Sequence, residues 1–296
     1  QSGEWKIRLN LSYMEYRFYY PDFRIHKEHT LKSKELNKIF GQPIAFWYGS
    51  SPYKKAKKIQ KRIKRLFDRA DPYLPYIVIY SIPDRDLGHY AKGGEINQGD
   101  YIDFIKDVAK GIEDKAPIVI YEPDALAQSF DMKYEEKQKR IRLIRKALKF
   151  LHKGCNAKIY LDVGHPYWLT VDEVINILSK FDKESYEGFA LNTSNFVSTE
   201  QCMSYGDKIS DKIDKHYVID TSRNGFGYTG DWCNPKTAVI GKFPTTKTNN
   251  ELCDAFLWIK PIGESDGKQN GGPKAGRFYY EYAINIIKNS KKIGSL

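Results

Sequence analysis

Seven short apolar runs recur along this chain, most of them continuous and rich in branched side chains: "PIAFWY" (43–48), "YIVIY" (76–80), "PIVIY" (117–121), "KIYLD" (158–162), "EGFAL" (187–191), "HYVID" (216–220) and "AFLWIK" (255–260). Continuous runs of this kind suit strands of a parallel sheet covered by helices, whereas a sheet with one wet face would alternate. Helical patterns fill the intervals, at about 53–69, 99–113, 134–151, 171–180, 201–213 and 275–289. Strand and helix alternating without a break in composition predict one β/α domain. A chain of 296 residues is long enough to bury a large core within one such domain. The rival is an open doubly wound sheet, but no Gly-rich dinucleotide turn follows the first strand. We therefore expect an α/β fold, a β/α barrel with parallel strands over residues 43–296, and an irregular segment 1–42 packing on it.

Charge and cysteine content narrow the function classes. The formal net charge is +11, and much of the excess falls in "YKKAKKIQKRIKRLF" (53–67). There Ala56, Ile59, Ile63 and Leu66 keep an apolar stripe, so the segment reads as a surface helix with a solvated basic face. No nucleic-acid partner is expected from it. No run of about eighteen apolar residues occurs, so no transmembrane segment is expected. The opening "QSGEWKIRLN" lacks the pattern of a signal peptide, and a start at Gln1 suggests a trimmed chain. Cys155, Cys202, Cys233 and Cys253 are too scattered for a zinc ribbon, and the six histidines show no metal-ligand spacing. Neither cofactor nor metal is expected. Sequons at Asn10 and Asn192, with four cysteines able to form two disulfides, incline the reading toward a secreted, oxidising setting.

Polarity gathers where each run ends: Trp47; Tyr80 to Asp86; Glu122 and Asp124; Asp162 and His165; Asn192 and Asn195; Asp220 and Arg223; Lys260, Glu264 and Asp266. In a barrel these ends converge on the face where active sites are built. Asp86 in "YSIPDRD" and Asp124 in "YEPDALAQ" are the strongest pair, each following a proline that fixes a turn. An acid that donates a proton must keep it, and a second carboxylate nearby raises its pKa by repulsion. Arg85 either limits that repulsion or anchors a neighbouring acid. Trp47, Trp168 and Trp232 offer flat apolar faces for sugar rings, while acids, amides and arginine hold hydroxyls. Trp258, inside "AFLWI", reads as core, and "FGYTGDWC" (226–233) reads as a surface connection.

"IYSIPDRD", "YEPDALAQ", "YLDVGHPYW", "GFALNTSN", "DTSRNGFG", "DWCNP" and "DAFLWIKPIGESDG" occur in an order that resembles the family 6 glycoside hydrolases, cellulases that cleave β-1,4-glucan with inversion. The resemblance covers some 250 residues and implies a distorted, TIM-like barrel of seven strands. It also implies roles. Asp124 matches the acid that protonates the glycosidic oxygen, and Asp86 the acid that raises its partner's pKa and activates water through an intervening water. Tyr80 matches the tyrosine pressing on the distorted sugar, and Arg85 the arginine stabilising the acid pair. Asp266 matches a carboxylate once proposed as the direct base, while Lys260 and Glu264 look like binding or bracing residues. Trp47, Trp168 and Trp232 match sugar platforms, and His165, Asn192 and Arg223 match polar residues of the cleft.

Departures from the family pattern carry their own expectations. Lys92 stands on the substrate loop where the family usually has a serine that helps to position water. Val171 replaces an outer aromatic platform, and Leu87 a cysteine. Cys233 fits a common family cysteine whose usual partner is missing, leaving Cys202 or Cys253 to bridge it. The short segment from Asp266 to Pro273 lacks the loop that roofs tunnel-forming members, which predicts an open cleft and internal attack. No second binding module or linker is expected within these residues. The resemblance thus implies an inverting endo-β-1,4-glucanase acting on cellulose, a related β-glucan or cello-oligosaccharides. The alternatives are a chain-end cellobiohydrolase and a weakly active glucan-binding or cellulose-assembly domain.

Overall fold

A computed structural model describes residues 17–20, 33–49, 58–95 and 97–296. Seven strands form one parallel sheet in chain order: β1 (Phe46–Tyr48), β2 (Ile77–Ile79), β3 (Ile118–Tyr121), β4 (Lys158–Asp162), β5 (Gly188–Leu191), β6 (His216–Asp220) and β7 (Cys253–Leu257). The helices are α1 (Ile59–Ala70), α2 (Gln98–Ile112), α3 (Tyr134–Gly154), α4 (Val171–Leu178), α5 (Thr199–Ile213) and α6 (Tyr280–Lys292). The sheet curls toward the expected barrel but is distorted at the seam. Among the described residues no ladder joins β1 to β7. A backbone bond from Ala45 N to Trp258 O (3.1 Å) and the Trp47 indole donating to Ile259 O (2.8 Å) span the gap instead.

The period of two along each strand divides the core. Val78, Ile120, Tyr160, Ala190, Val218, Ala255 and Leu257 pack together inside the curl, and Trp47 and Tyr80 close that cluster. Ile77, Val119, Ile159, Phe189 and Ile219 point outward to the helices. Each such buried aliphatic stabilises the fold by roughly 1.5–3 kcal/mol. The α1 stripe buries Ile59, Ile63 and Leu66, as its spacing predicts, while Ala56 lies outside the described residues. Thr170 begins α4 with a reciprocal capping box to Glu173, and the Ser198 side chain caps α5. Trp258 is fully buried, its indole donating to Lys242 O (3.0 Å).

Of the N-terminal segment, Phe18 packs edge-on against Tyr76 (5.5 Å), and Leu36 and Ile39 join Trp258 and α6 in a third cluster. Asn10 and residues 53–57 lie outside the described residues.

Two sequence expectations are overturned. All four cysteines are free, so neither Cys202 nor Cys253 bridges Cys233. Cys253 opens the five-residue strand β7, whereas Cys233 sits beside the loop that follows its far end, packed with Asn234 and Ser265. A strand of that length separates them by more than the reach of a disulfide. The Cys202 thiol instead donates to Val197 O (3.6 Å) within its own helix start. The sequon at Asn192 fails for a related reason: its amide is fully buried and donates to Val197 O (3.1 Å) and Asp220 O (2.9 Å).

Candidate active site

A cavity of about 960 Å³ opens at the C-terminal mouth of the sheet. Of the residues singled out in the sequence, Trp47, Tyr80, Arg85, Asp86, Lys92 and Asp124 line one part of it. His165, Trp168, Trp232, Lys260, Glu264 and Asp266 line the rest. Asn192 and Arg223 lie behind the wall, fully buried, and brace it.

The two acids stand on strained turns. Asp86 (φ 61°) and Asp124 (φ 67°) are both left-handed, as are their neighbours Asp84, Leu87 and Glu122. Such conformations cost about 1–3 kcal/mol each and persist only where the surroundings enforce them. Glu122 does so from below. Its carboxylate, 1% exposed, accepts the Ser81 N–H (3.0 Å) and the Ile82 N–H (3.1 Å), locking the β2 loop to the β3 loop. Arg85 does so from the side, donating to Ala91 O (2.9 Å) and to the carbonyls of Gly49 and Tyr80. Its guanidinium also lies over the Tyr80 ring at 4.3 Å. Arg85 forms no salt bridge among the described residues, so it organises the loop rather than neutralising either acid directly.

Asp86 accepts from Ala91 N (2.7 Å) and from the Gln128 amide (3.2 Å). Asp124 is pushed well above the ordinary aspartate range, first by burial, then by the charges of Asp162 and Asp86, with Lys260 opposing. Asp124 therefore favours its protonated form while an acceptor carboxylate shares the cavity.

Strand parity carries two more acids to the top of the core. Asp162 accepts from Asp124 N (2.9 Å) and Gly164 N (3.2 Å). Asp220 accepts from Ser194, Ser222 and Lys260 N–H groups, gathering the β5, β6 and β7 loops. Asp266 pairs with Arg223 (2.8 Å) and Lys260 (3.4 Å) and accepts from Asn234 N (3.0 Å). Burial would raise its pKa, but Arg223 and Lys260 outweigh that and hold it below the usual range. Glu264 is raised by burial, against the pull of Lys260 and Arg223.

The walls are aromatic. Trp47 meets Tyr80 edge-on at 5.4 Å, and burial raises the Tyr80 phenol so that it stays neutral. Burial lowers His165 to about 4. Its Nδ1 accepts the Tyr167 N–H (3.3 Å), so the remaining proton of the neutral ring is on Nε2. Tyr228 stacks with Tyr167 at 5.4 Å and lines the cavity, correcting the reading of "FGYTGDWC" as a mere surface connection. Sequence reasoning also passed over Gln128, although its place one helical turn beyond Asp124 was a usable signal; its N–H donates to Asp124 O (2.8 Å). Among the described residues no cluster of His, Cys, Asp and Glu suits a metal ion. An acid that favours its protonated form, a second acid in the same cavity and flat aromatic walls suit acid-assisted displacement on a sugar polymer.

Comparison with known proteins agrees. Residues 14–290 match the family described as glycosyl hydrolases family 6. Endoglucanase A of Cellulomonas fimi is 40% identical over 260 residues, covering 86% of this chain and 56% of that protein. Endoglucanase A of Thermobispora bispora is 37% identical over 201 residues, covering 66% of this chain and 44% of that protein. The chain thus spans about half the length of these two curated relatives. The solved endoglucanase Cel6 of Mycobacterium tuberculosis, in complex with methyl-cellobiosyl-4-deoxy-4-thio-β-D-cellobioside, superposes with a TM-score of 0.88 at 34% identity, covering 96% of this chain and 99% of that one.

Proposed function

This chain belongs to the family 6 glycosyl hydrolases, and on that premise we propose that it is an endoglucanase, hydrolysing internal β-1,4-glucosidic bonds of cellulose or a related β-glucan with inversion. Asp124 protonates the departing glycosidic oxygen. Asp86 orders and deprotonates the attacking water through a second water, on the face of the ring opposite the leaving group. Asp266, held charged by Arg223, fixes the sugar and the β7 loop. Tyr80 presses on the ring as it distorts, and Arg85 holds the loop that carries Asp86. Trp47, Trp168 and Trp232 carry sugar faces. His165, Lys260 and Glu264 reach hydroxyls and Lys92 binds the chain from the β2 loop, with Asn192 and Arg223 supporting from behind. Binding energy from distant sugars drives distortion at the cleavage point.

The observation that carries this reading is the raised proton affinity of Asp124 in a cavity shared with Asp86. The short segment 266–273 supports internal attack, because Asn234 ties it down at Gly267 O (2.8 Å) and Gln269 O (3.0 Å). Chain-end action is the second reading, favoured by Tyr90 touching Trp232 (5.9 Å) at the cleft. A glucan polymer is met outside the cell, so the reading includes a secreted enzyme.

Incubation with cellohexaose, following product anomers as they form, tests the proposal. The α-anomer must appear first from a β-linkage. First appearance of the β-anomer overturns inversion, and binding without products favours the glucan-binding alternative.

A further inference from the structure

Three cations line the cleft with no counter-ion. Lys92 on the β2 loop and Lys274 and Arg277 on the β7 loop are exposed to the cavity. None of the three side chains has a hydrogen-bond or ion-pair partner among the described residues. The other cations of the cleft are committed: Lys260 to Asp266 (3.4 Å), and Arg85 to backbone carbonyls. A neutral glucan offers hydroxyls, for which three unpaired full charges are an expensive choice of donor.

Loop packing brings the segments that carry the three against one another. The Tyr90 ring lies directly on Gly267, where an added Cβ would come within 2.5 Å of its Cγ, and its centroid is 5.9 Å from that of Trp232. The tip of the β2 loop therefore rests against the β6 and β7 loops. Lys92 stands two residues beyond Tyr90, Lys274 and Arg277 follow Gly267 on the β7 loop, and all three line the same cavity. The acids nearby offset only part of this charge. Asp266 is bound to Arg223 and Lys260, and burial shifts Glu264 and Asp124 toward their neutral forms. Exposed Asp131 stands on the β3 loop. Asp86 also lines the cavity, so the three cations outnumber the two acids Asp86 and Asp131, unpaired among the described residues, and an excess of one sign of charge concentrates ligands of the other.

Resting on the function proposed above, we propose that the cleft prefers β-1,4-glucan bearing carboxylate groups, with Lys92, Lys274 and Arg277 recognising uronate residues of the chain. Arg277 supplies a planar fork that matches a carboxylate, and the two lysines supply point charges.

The test compares kcat/KM for cellohexaose and for a cello-oligosaccharide of equal length partly oxidised at C6 to glucuronate. Both are measured in low-salt buffer with the wild type and with the double variant Lys274→Ser/Arg277→Ser. The wild type is expected to favour the oxidised substrate by about tenfold. That preference falls to about twofold in the double variant and also in ~0.5 M salt, where such contacts are screened. A wild type that favours the neutral substrate, or a preference surviving both the substitutions and the salt, overturns the proposal. If cellohexaose is cut but the oxidised substrate is not favoured, this inference falls and the proposed function stands. If neither is cut, both fall.

Discussion

The backbone N–H of Asp124 donates to Oδ1 of Asp162 at 2.9 Å. The same oxygen accepts Gly164 N–H, so one carboxylate joins the β4 loop to the turn that carries the proposed proton donor. Burial raises Asp162 to about 6, so above that pH it is an anion beside Asp124 and adds to the proton affinity of its neighbour. Asp162→Asn keeps an acceptor oxygen and deletes the charge, which lowers the Asp124 pKa. A general acid works only while protonated, and activity is lost as pH rises through its pKa. The alkaline limb of kcat/KM on cellohexaose is therefore expected to move to lower pH, by about one unit. An unmoved limb would assign the proton to another group.

Glu122 makes a separate prediction, in stability rather than rate. Burial raises its folded pKa to about 7 from an ordinary 4.5, against the N–H groups of Ile82 and Ser81 and the Tyr101 phenol. The folded protein thus holds this proton more tightly than the unfolded chain. Its contribution favours folding below the unfolded pKa and is lost as pH rises through the folded value. The loss is on the order of 3 kcal/mol between those two pKa values. Glu122→Gln cannot titrate. Thermal melts from pH ~4.5 to ~7.5 should show a falling stability in the wild type that the variant lacks, and parallel curves would refute the assignment.

Much of this was legible in the chain. Branched runs gave seven strands, and polar residues at their ends marked the mouth of the curl, because a strand buried on both faces can be polar only where it stops. The two acids stood out because each follows a proline turn. What was hidden depended on partners distant in sequence. Nothing local says that Arg223 turns away from the cleft to meet Asp266 and Ser194, or that Asn192 spends its amide on Val197 and Asp220. Tyr228 was hidden likewise, since only the packing of Tyr167 and His165 against it brings a glycine-rich connection to the cavity. The expected disulfide failed because family likeness supplied a cysteine but not the geometry of a partner.

Asp266 is expected to be structural and binding rather than a base. A carboxylate held acidic by Arg223 and Lys260 is a weak proton acceptor. Asp266→Ala leaves the Arg223 side chain, 0% exposed, without its anion. Stranding a buried charge costs about 3–5 kcal/mol, so thermal melts should show a large loss of stability. Added azide, which substitutes for a missing base, should not restore activity to the surviving folded fraction. Azide rescue would return Asp266 to the base role.

Tyr90 is expected to set how readily an internal stretch of polymer enters the cleft. Its ring bridges from the β2 loop to Trp232 and fits only because Gly267 has no side chain. The bridge can be broken from either side. Tyr90→Ala removes the ring, while Gly267→Ala places a methyl group where the ring now lies, forcing the β2 loop away from the β7 loop. Opposite changes in volume should therefore give the same phenotype. On hydroxyethylcellulose, the fall in viscosity per reducing end released should increase by about twofold in both variants, because a wider opening admits chain interiors more easily. A change in Tyr90→Ala alone would point to a sugar contact made by the ring. No change in either would mean that the two loops part freely when substrate binds, so that their contact exerts no control over access.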